Sequence, residues 1–135
     1  MKATELRIGN LCYYRIIDSL DERKEWDEIN TIDVEDISAI QNIKTKEYTP
    51  IPITEEWLVR FGFKKHRSDF YIMLDTPDFH LNLMISKDGF YPSIEQTPEF
   101  ASEDVQICYL NKIEYVHQIQ NLFFTLTGKE LTYTL

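Results

Sequence analysis

Glycine is scarce in this chain, with four residues in 135, and so are proline, with five, and cysteine, with two. So little glycine and proline excludes collagen-like and low-complexity chains. Two cysteines are too few for a disulfide-stapled secreted scaffold. Cys12 and Cys108 both fall in apolar, strand-like runs where a free cysteine behaves as a small hydrophobe, so a reducing cytoplasm is the expected compartment. No apolar run exceeds about five residues against the roughly 20 that a membrane helix needs. No apolar leader follows Met1-Lys2-Ala3-Thr4-Glu5, so neither a membrane span nor a secretion signal is expected. Cations are outnumbered as well: 14 Lys and Arg face 23 Asp and Glu, a net charge of −9 that repels phosphate backbones and argues against nucleic acid as a partner.

What the chain does have is core material. Its residues are 43% hydrophobic and 13% aromatic, with eight Phe, eight Tyr and two Trp. At this length one compact domain over residues 1–135 is the expectation, burying roughly two-thirds of the unfolded surface. The charge is unevenly spread. Residues 18–36 hold nine carboxylates (Asp18, Asp21, Glu22, Glu25, Asp27, Glu28, Asp33, Glu35, Asp36) against Arg23 and Lys24 alone. A basic cluster, Arg60, Lys64, Lys65 and Arg67 with His66, reads as a helix end followed by a loop.

Periodicity predicts a strand over residues 11–17, a second over 26–34, and a short third around Ile37, Ile40 and Ile43, whose spacing suits neither a strand nor a helix cleanly. Residues 48–53 carry two prolines and read as an extended edge strand. Thr54 caps a short helix over 55–61 that Gly62 stops, with Trp57, Leu58 and Phe61 inward. A meander follows: 70–74, a turn at 76–78, 79–85, a turn at 87–89, then 90–94. After an acidic loop at 97–104 come a strand over 105–110 and a long helix, opened by Asn111 with Glu114 three residues on and ended by Gly128. Tyr115, Val116, Ile119, Leu122, Phe123 and Leu126 form its apolar stripe, and Leu131, Tyr133 and Leu135 a closing strand.

The predicted fold class is therefore α+β. A small antiparallel SH3-like open barrel of about four strands occupies residues 1–53. A helix, an antiparallel β-meander and a long C-terminal helix packed on the sheet occupy 54–135. The alternative is one continuous curved sheet crossed by both helices.

Reactive constellations are missing from the sequence. Thr127-Gly128-Lys129-Glu130 lacks the earlier glycines of a phosphate loop, and no Gly-x-Ser-x-Gly elbow occurs. His66, His80 and His117 fall in different elements, and Glu114 with His117 makes only half of a carboxylate–histidine metal motif, so no metal and no cofactor are expected. Asp78 and His80 could form an acid–base pair but read as a surface pair on a hairpin. The polar stripe His117, Gln118, Asn121 and Thr125, with Gln120 beside it, is the candidate interaction face, because amides offer donors and acceptors without charge.

Three segments are distinctive together: Glu5-Leu6-Arg7-Ile8-Gly9-Asn10, residues 50–63 (Pro-Ile-Pro-Ile-Thr-Glu-Glu-Trp-Leu-Val-Arg-Phe-Gly-Phe), and residues 115–131 (Tyr-Val-His-Gln-Ile-Gln-Asn-Leu-Phe-Phe-Thr-Leu-Thr-Gly-Lys-Glu-Leu). In these the chain resembles a family of small uncharacterised proteins of Bacteroidales bacteria and their phages and prophages. The resemblance implies a bacterial or phage-associated cytoplasmic protein encoded on a mobile element, and carries over no catalytic or binding residue. The chain departs from the family most in residues 18–36.

The function expected from these readings is a non-enzymatic protein-interaction module with a protein partner, self-association remaining open. The contact would lie at the His117 stripe or at the edge over residues 48–53. The alternatives are an acidic nucleic-acid mimic that uses residues 18–36 to inhibit a DNA- or RNA-binding host protein, and a small enzyme whose site the sequence does not signal.

Overall fold

The computed structural model describes residues 1–43, 47–76, 78–96 and 107–134, and the chain is α+β, with two antiparallel sheets and three α-helices. The acidic loop at 97–104, the first two residues of the strand expected over 105–110, Pro77 of the 76–78 turn and Leu135 lie outside the described residues. Two compact units emerge, Met1–Pro52 with Tyr115–Asn121, and Ile53–Glu114 with Leu122–Leu135.

In the first unit a 3-10 turn, Ala3–Glu5, precedes β1, Leu11–Ile17, whose aromatic and β-branched run forms a strand as expected. β2, Glu25–Thr31, returns antiparallel along it with Leu11 opposite Thr31 and Ile17 opposite Glu25. At the inner end Gly9 and Asn10 both face Ile32: Gly9 N–H donates to the Ile32 carbonyl and Ile32 N–H to that of Asn10. This is a one-residue bulge, and Gly9 takes it at φ 93°, where a side chain would be strained. β3, Tyr48–Thr49, pairs with the other side of β1. The strand order β2-β1-β3 leaves two open edges, so this sheet is not a closed barrel.

The third strand expected around Ile37 to Ile43 is instead a helix, α1, Val34–Ile43. Its start is specified by two carboxylates: Asp36 N–H donates to Asp33 Oδ1 (2.9 Å) and Asp33 N–H to Asp36 Oδ2 (3.0 Å), the reciprocal pattern that satisfies free donors at a helix N-terminus. Ile40 is thereby brought onto Cys12 and Ile32 as the buried core of this unit, with Met1, Ala3, Leu6, Ile37 and Tyr48 around it.

The second unit opens with α2, Glu55–Arg60, capped by Thr54 Oγ1 accepting from Trp57 N–H, and stopped at Gly62 as expected. Trp57, Leu58 and Phe61 are buried. The basic cluster does not lie in a loop. Lys64–His66 forms β4, a strand pairing with β5, Asp69–Met73, around a turn at Arg67. β6, Phe79–Ser86, and β7, Gly89–Gln96, complete the meander, and β8, Ile107–Tyr109, closes the order β4-β5-β6-β7-β8. Phe70, Leu81 and Leu83 are fully buried, as the alternation required.

The last helix, α3, is Val116–Thr127, starting four residues later than expected. Asn111 and Glu114 do not cap it. Residues 111–115 run extended instead, with Ile113 bridged to Phe90 and Tyr115 to Pro52, while Gln118 Oε1 accepts the Tyr115 N–H at the true helix start (2.9 Å). The helix stops at Gly128, whose N–H bonds to the Phe124 carbonyl. The closing strand is absent from the described residues: Leu131 is buried and the Tyr133 ring meets Trp57 at a tilt (5.7 Å) and Phe61 edge-on (6.3 Å), but the segment has no strand partner among them.

Candidate functional site

Helical periodicity expects His117, Gln118, Gln120, Asn121 and Thr125 to present a wet polar stripe. The structure buries its centre. His117 is 1% exposed and Gln120 2%, while Gln118 and Asn121 are half-buried and Thr125 exposed. The correction has a geometric cause: the chain entering β1 supplies polar backbone that only side-chain amides reach. Gln120 Oε1 accepts the N–H of Leu11 (2.8 Å) and its Nε2 donates to the Gly9 carbonyl (3.3 Å). Beside it Asn121 Nδ2 donates to the Glu5 carbonyl (3.0 Å), Asn10 Nδ2 to Asn121 Oδ1 (2.8 Å), and Arg7 N–H to Asn10 Oδ1 (2.7 Å). Three amide side chains thus pair with this backbone, and for Leu11 N–H the partner is supplied in a buried place. This cluster holds residues 5–11 to residues 120–121 and contains no nucleophile or charge.

His117 lies in the same unit with its ring stacked on Tyr115, centroids 5.8 Å apart and planes 7° from parallel. Both ring nitrogens are buried without a hydrogen-bond partner among the described residues. Burial holds its pKa below the ordinary imidazole value, opposed by the Glu5 carboxylate and assisted by the N-terminal amine. The neutral ring is a core component.

A second polar cluster surrounds Asp36. Its carboxylate accepts from Tyr48 O–H (2.6 Å), Asn30 Nδ2 (3.2 Å) and the Asp33 N–H. Burial raises its pKa, but these hydrogen bonds outweigh that and hold it below the usual carboxylate range. The Cys12 thiol, packed next to this cluster, is pushed up to about 11, chiefly by burial, which leaves it protonated and unreactive at neutral pH. Cys108 is exposed on β8.

The pairings expected elsewhere are rearranged. His80 meets Glu95 across the β6–β7 ladder (3.3 Å), whereas Asp78 remains in the turn. Lys65 pairs with Glu55 (3.5 Å) and Arg60 with Glu56 (2.7 Å), so half of the four-cation cluster is compensated. Glu114 precedes α3 and binds Lys112 (2.9 Å), and no group of three metal-ligating side chains occurs among the described residues. A shallow groove of about 470 Å³ on α1 is lined by Val34, Glu35, Ser38, Ala39 and Asn42 and brings one carboxylate to one helix face. No helix among the described residues is long and apolar enough to cross a membrane.

The surface that sequence reasoning missed is the outer edge of β2. Six of its seven residues are exposed, and no strand lies beyond it among the described residues. Ile32 addresses β1 through its N–H and C=O, as Lys24 does through the carbonyl that accepts from Asp18 N–H. Antiparallel ladders alternate, so Glu25, Asp27, Ile29 and Thr31 aim their backbone groups away from β1 at the open side. Apolar side chains crowd the same hairpin: Ile17, Trp26 (45% exposed), Ile29, and Leu20 at the tip (96% exposed). The sequence did carry a signal, a strand with uncompensated carboxylates, but an edge exists only relative to the strand order. No protein-family model, no curated protein and no solved structure matches the chain.

Proposed function

We propose that this chain is a non-enzymatic protein-interaction module that takes up an extended segment of a partner protein as an added strand on β2. The observation that carries this reading is the open row of backbone groups at Glu25, Asp27, Ile29 and Thr31, flanked by exposed Trp26 and Ile29. In strand addition the main chain supplies hydrogen bonds and alternate side chains supply selectivity. Native edges are commonly blunted by charged side chains, lysine above all, by proline or by a bulge, and on β2 the charges, Glu25, Asp27 and Glu28, are all negative and so deter only partners that are not basic. β2 has no lysine or proline between Glu25 and Thr31, and its bulge lies on β1, beyond its inner end. In-register parallel pairing of β2 with a second copy of itself would set Glu25, Asp27 and Glu28 against the same charges, which disfavours that mode of self-association.

The acidic-mimic reading has less support. Arg15 lies 3.6 Å from Asp27 and 4.0 Å from Glu25, Arg23 pairs with Asp21, and Asp33 and Asp36 are engaged at the start of α1. Asp18 accepts from Leu20 N–H and Glu28 from Trp26 Nε1–H, so seven of the nine carboxylates are engaged inside the unit. The resemblance of residues 5–10, 50–63 and 115–131 sets such a module in a bacterial or phage cytoplasm, on a mobile element.

The test is a random peptide library displayed and panned on the full chain, followed by amide hydrogen exchange of the complex. Enriched peptides should protect the amides of residues 25, 27, 29 and 31 and should lose binding to Ile29→Pro. That change removes an outward N–H without touching the β1–β2 ladder. Peptides that bind and leave those four amides unprotected overturn the reading.

A further inference from the structure

Resting on the strand-addition reading, we infer that the incoming segment is basic: an extended polypeptide with Lys or Arg at alternate positions, opposite Glu25 and Asp27, and an apolar residue two steps further along, opposite Ile29. The pleat of β2 dictates this pattern. Glu25, Asp27 and Ile29 share one face of the sheet, and Trp26, Glu28 and Asn30 share the other. A strand added at the open edge sets its side chains about 4.5–5.5 Å from those directly opposite. On the first face, cations would then oppose Glu25 and Asp27, and an apolar side chain would oppose Ile29.

The charge on that face is only partly cancelled from within. Arg15 is the single cation opposite it on β1, and it serves both carboxylates at 4.0 Å and 3.6 Å. On the second face Trp26 Nε1 donates to Glu28 Oε1 (3.0 Å), which orients the carboxylate beside the indole ring. A guanidinium or ammonium opposite Glu28 would meet a carboxylate and an aromatic face together, two attractions with the same sign requirement. An acidic segment would meet like charges on both faces, a penalty that excludes it more strongly than the attraction selects a basic one.

The experiment compares two labelled peptides of equal length on the full chain, one alternating Lys and Val, the other alternating Glu and Val. Binding is read by anisotropy and by amide exchange. The Lys peptide, with its cations on the face of Glu25 and Asp27, should bind about tenfold more tightly, from two opposite-charge pairs that become like-charge pairs in the Glu peptide. Its affinity should fall with added salt, and the amides of residues 25, 27, 29 and 31 should be protected. Glu25→Lys combined with Asp27→Lys, which reverses both charges on that face, should invert the preference toward the Glu peptide. Equal affinities with those amides protected would overturn the basic-segment inference and leave strand addition standing. Binding of the Lys peptide with those amides unprotected, or no protection by either peptide, would overturn both.

Discussion

Gln120 is the residue whose removal tests the architecture of the first unit most directly. Its side-chain amide stands in for a strand partner, accepting the buried N–H of Leu11 at 2.8 Å and donating to the Gly9 carbonyl at 3.3 Å. Gln120→Leu keeps the volume and deletes both bonds. Leu11 is buried, so its N–H would lose its partner among the described residues, at a cost of about 1–3 kcal/mol. The longer bond to Gly9, whose carbonyl keeps some access to water, adds about 0.5–1 kcal/mol, so a loss of about 2–4 kcal/mol is expected. Urea unfolding followed by circular dichroism measures it as a lower midpoint at unchanged slope, and native-state amide exchange should show Leu11 opening faster. Gln120→Glu separates the two bonds: an ionised carboxylate still accepts from Leu11 but cannot donate to Gly9, and carries charge into a buried position. Its deficit against the parent chain should be large at neutral pH and shrink as the carboxyl protonates. A Gln120→Leu variant with the parent midpoint and an equally protected Leu11 amide would refute the argument, because the N–H would then have another partner.

Three further outcomes follow from the same unit. His117 is neutral when folded, with its pKa held below the unfolded value near 6.5, so the unfolded state binds the extra proton first. Stability should therefore fall as pH drops through about 6.5, by up to about 1.4 kcal/mol per pH unit, and the difference between parent and His117→Leu in urea titrations should show that slope. Tyr48→Phe removes the 2.6 Å hydrogen bond to Asp36 and should cost about 1–2 kcal/mol. Carbon-detected NMR titration should show the Asp36 pKa rising toward its ordinary value; no movement would mean that Tyr48 does not hold the carboxylate ionised. Native protein at neutral pH should react with a thiol reagent at Cys108 alone. Cys12 should label only after unfolding, and fast labelling of a Cys108→Ser variant would contradict its burial.

Local chemistry was enough to place some elements. The aromatic and β-branched run of β1, the Thr54 cap and Gly62 stop of α2, and the alternation of Phe79, Leu81, Leu83 and Ile85 in β6 all depend on neighbours within a few residues. Where a local signal was misread, a competing one was stronger. Ile37, Ile40 and Ile43 suggested a strand, while the Asp33 and Asp36 pair that starts a helix was hidden in an acidic run that looked like solvated surface. Asn111 and Glu114 offered a helix start that lost to extended pairing of residues 113 and 115 with Phe90 and Pro52.

What the chain determined by itself was the α+β class, most strand and helix identities and the concentration of negative charge on one hairpin. Only the tertiary structure decided that His117 and Gln120 face inward and that β2 lies at an edge. Periodicity reports how a side chain is placed on its own helix or strand. Whether that face meets water depends on backbone more than a hundred residues away, as in the bonds from Gln120 to Gly9 and Leu11, and on which strands have neighbours.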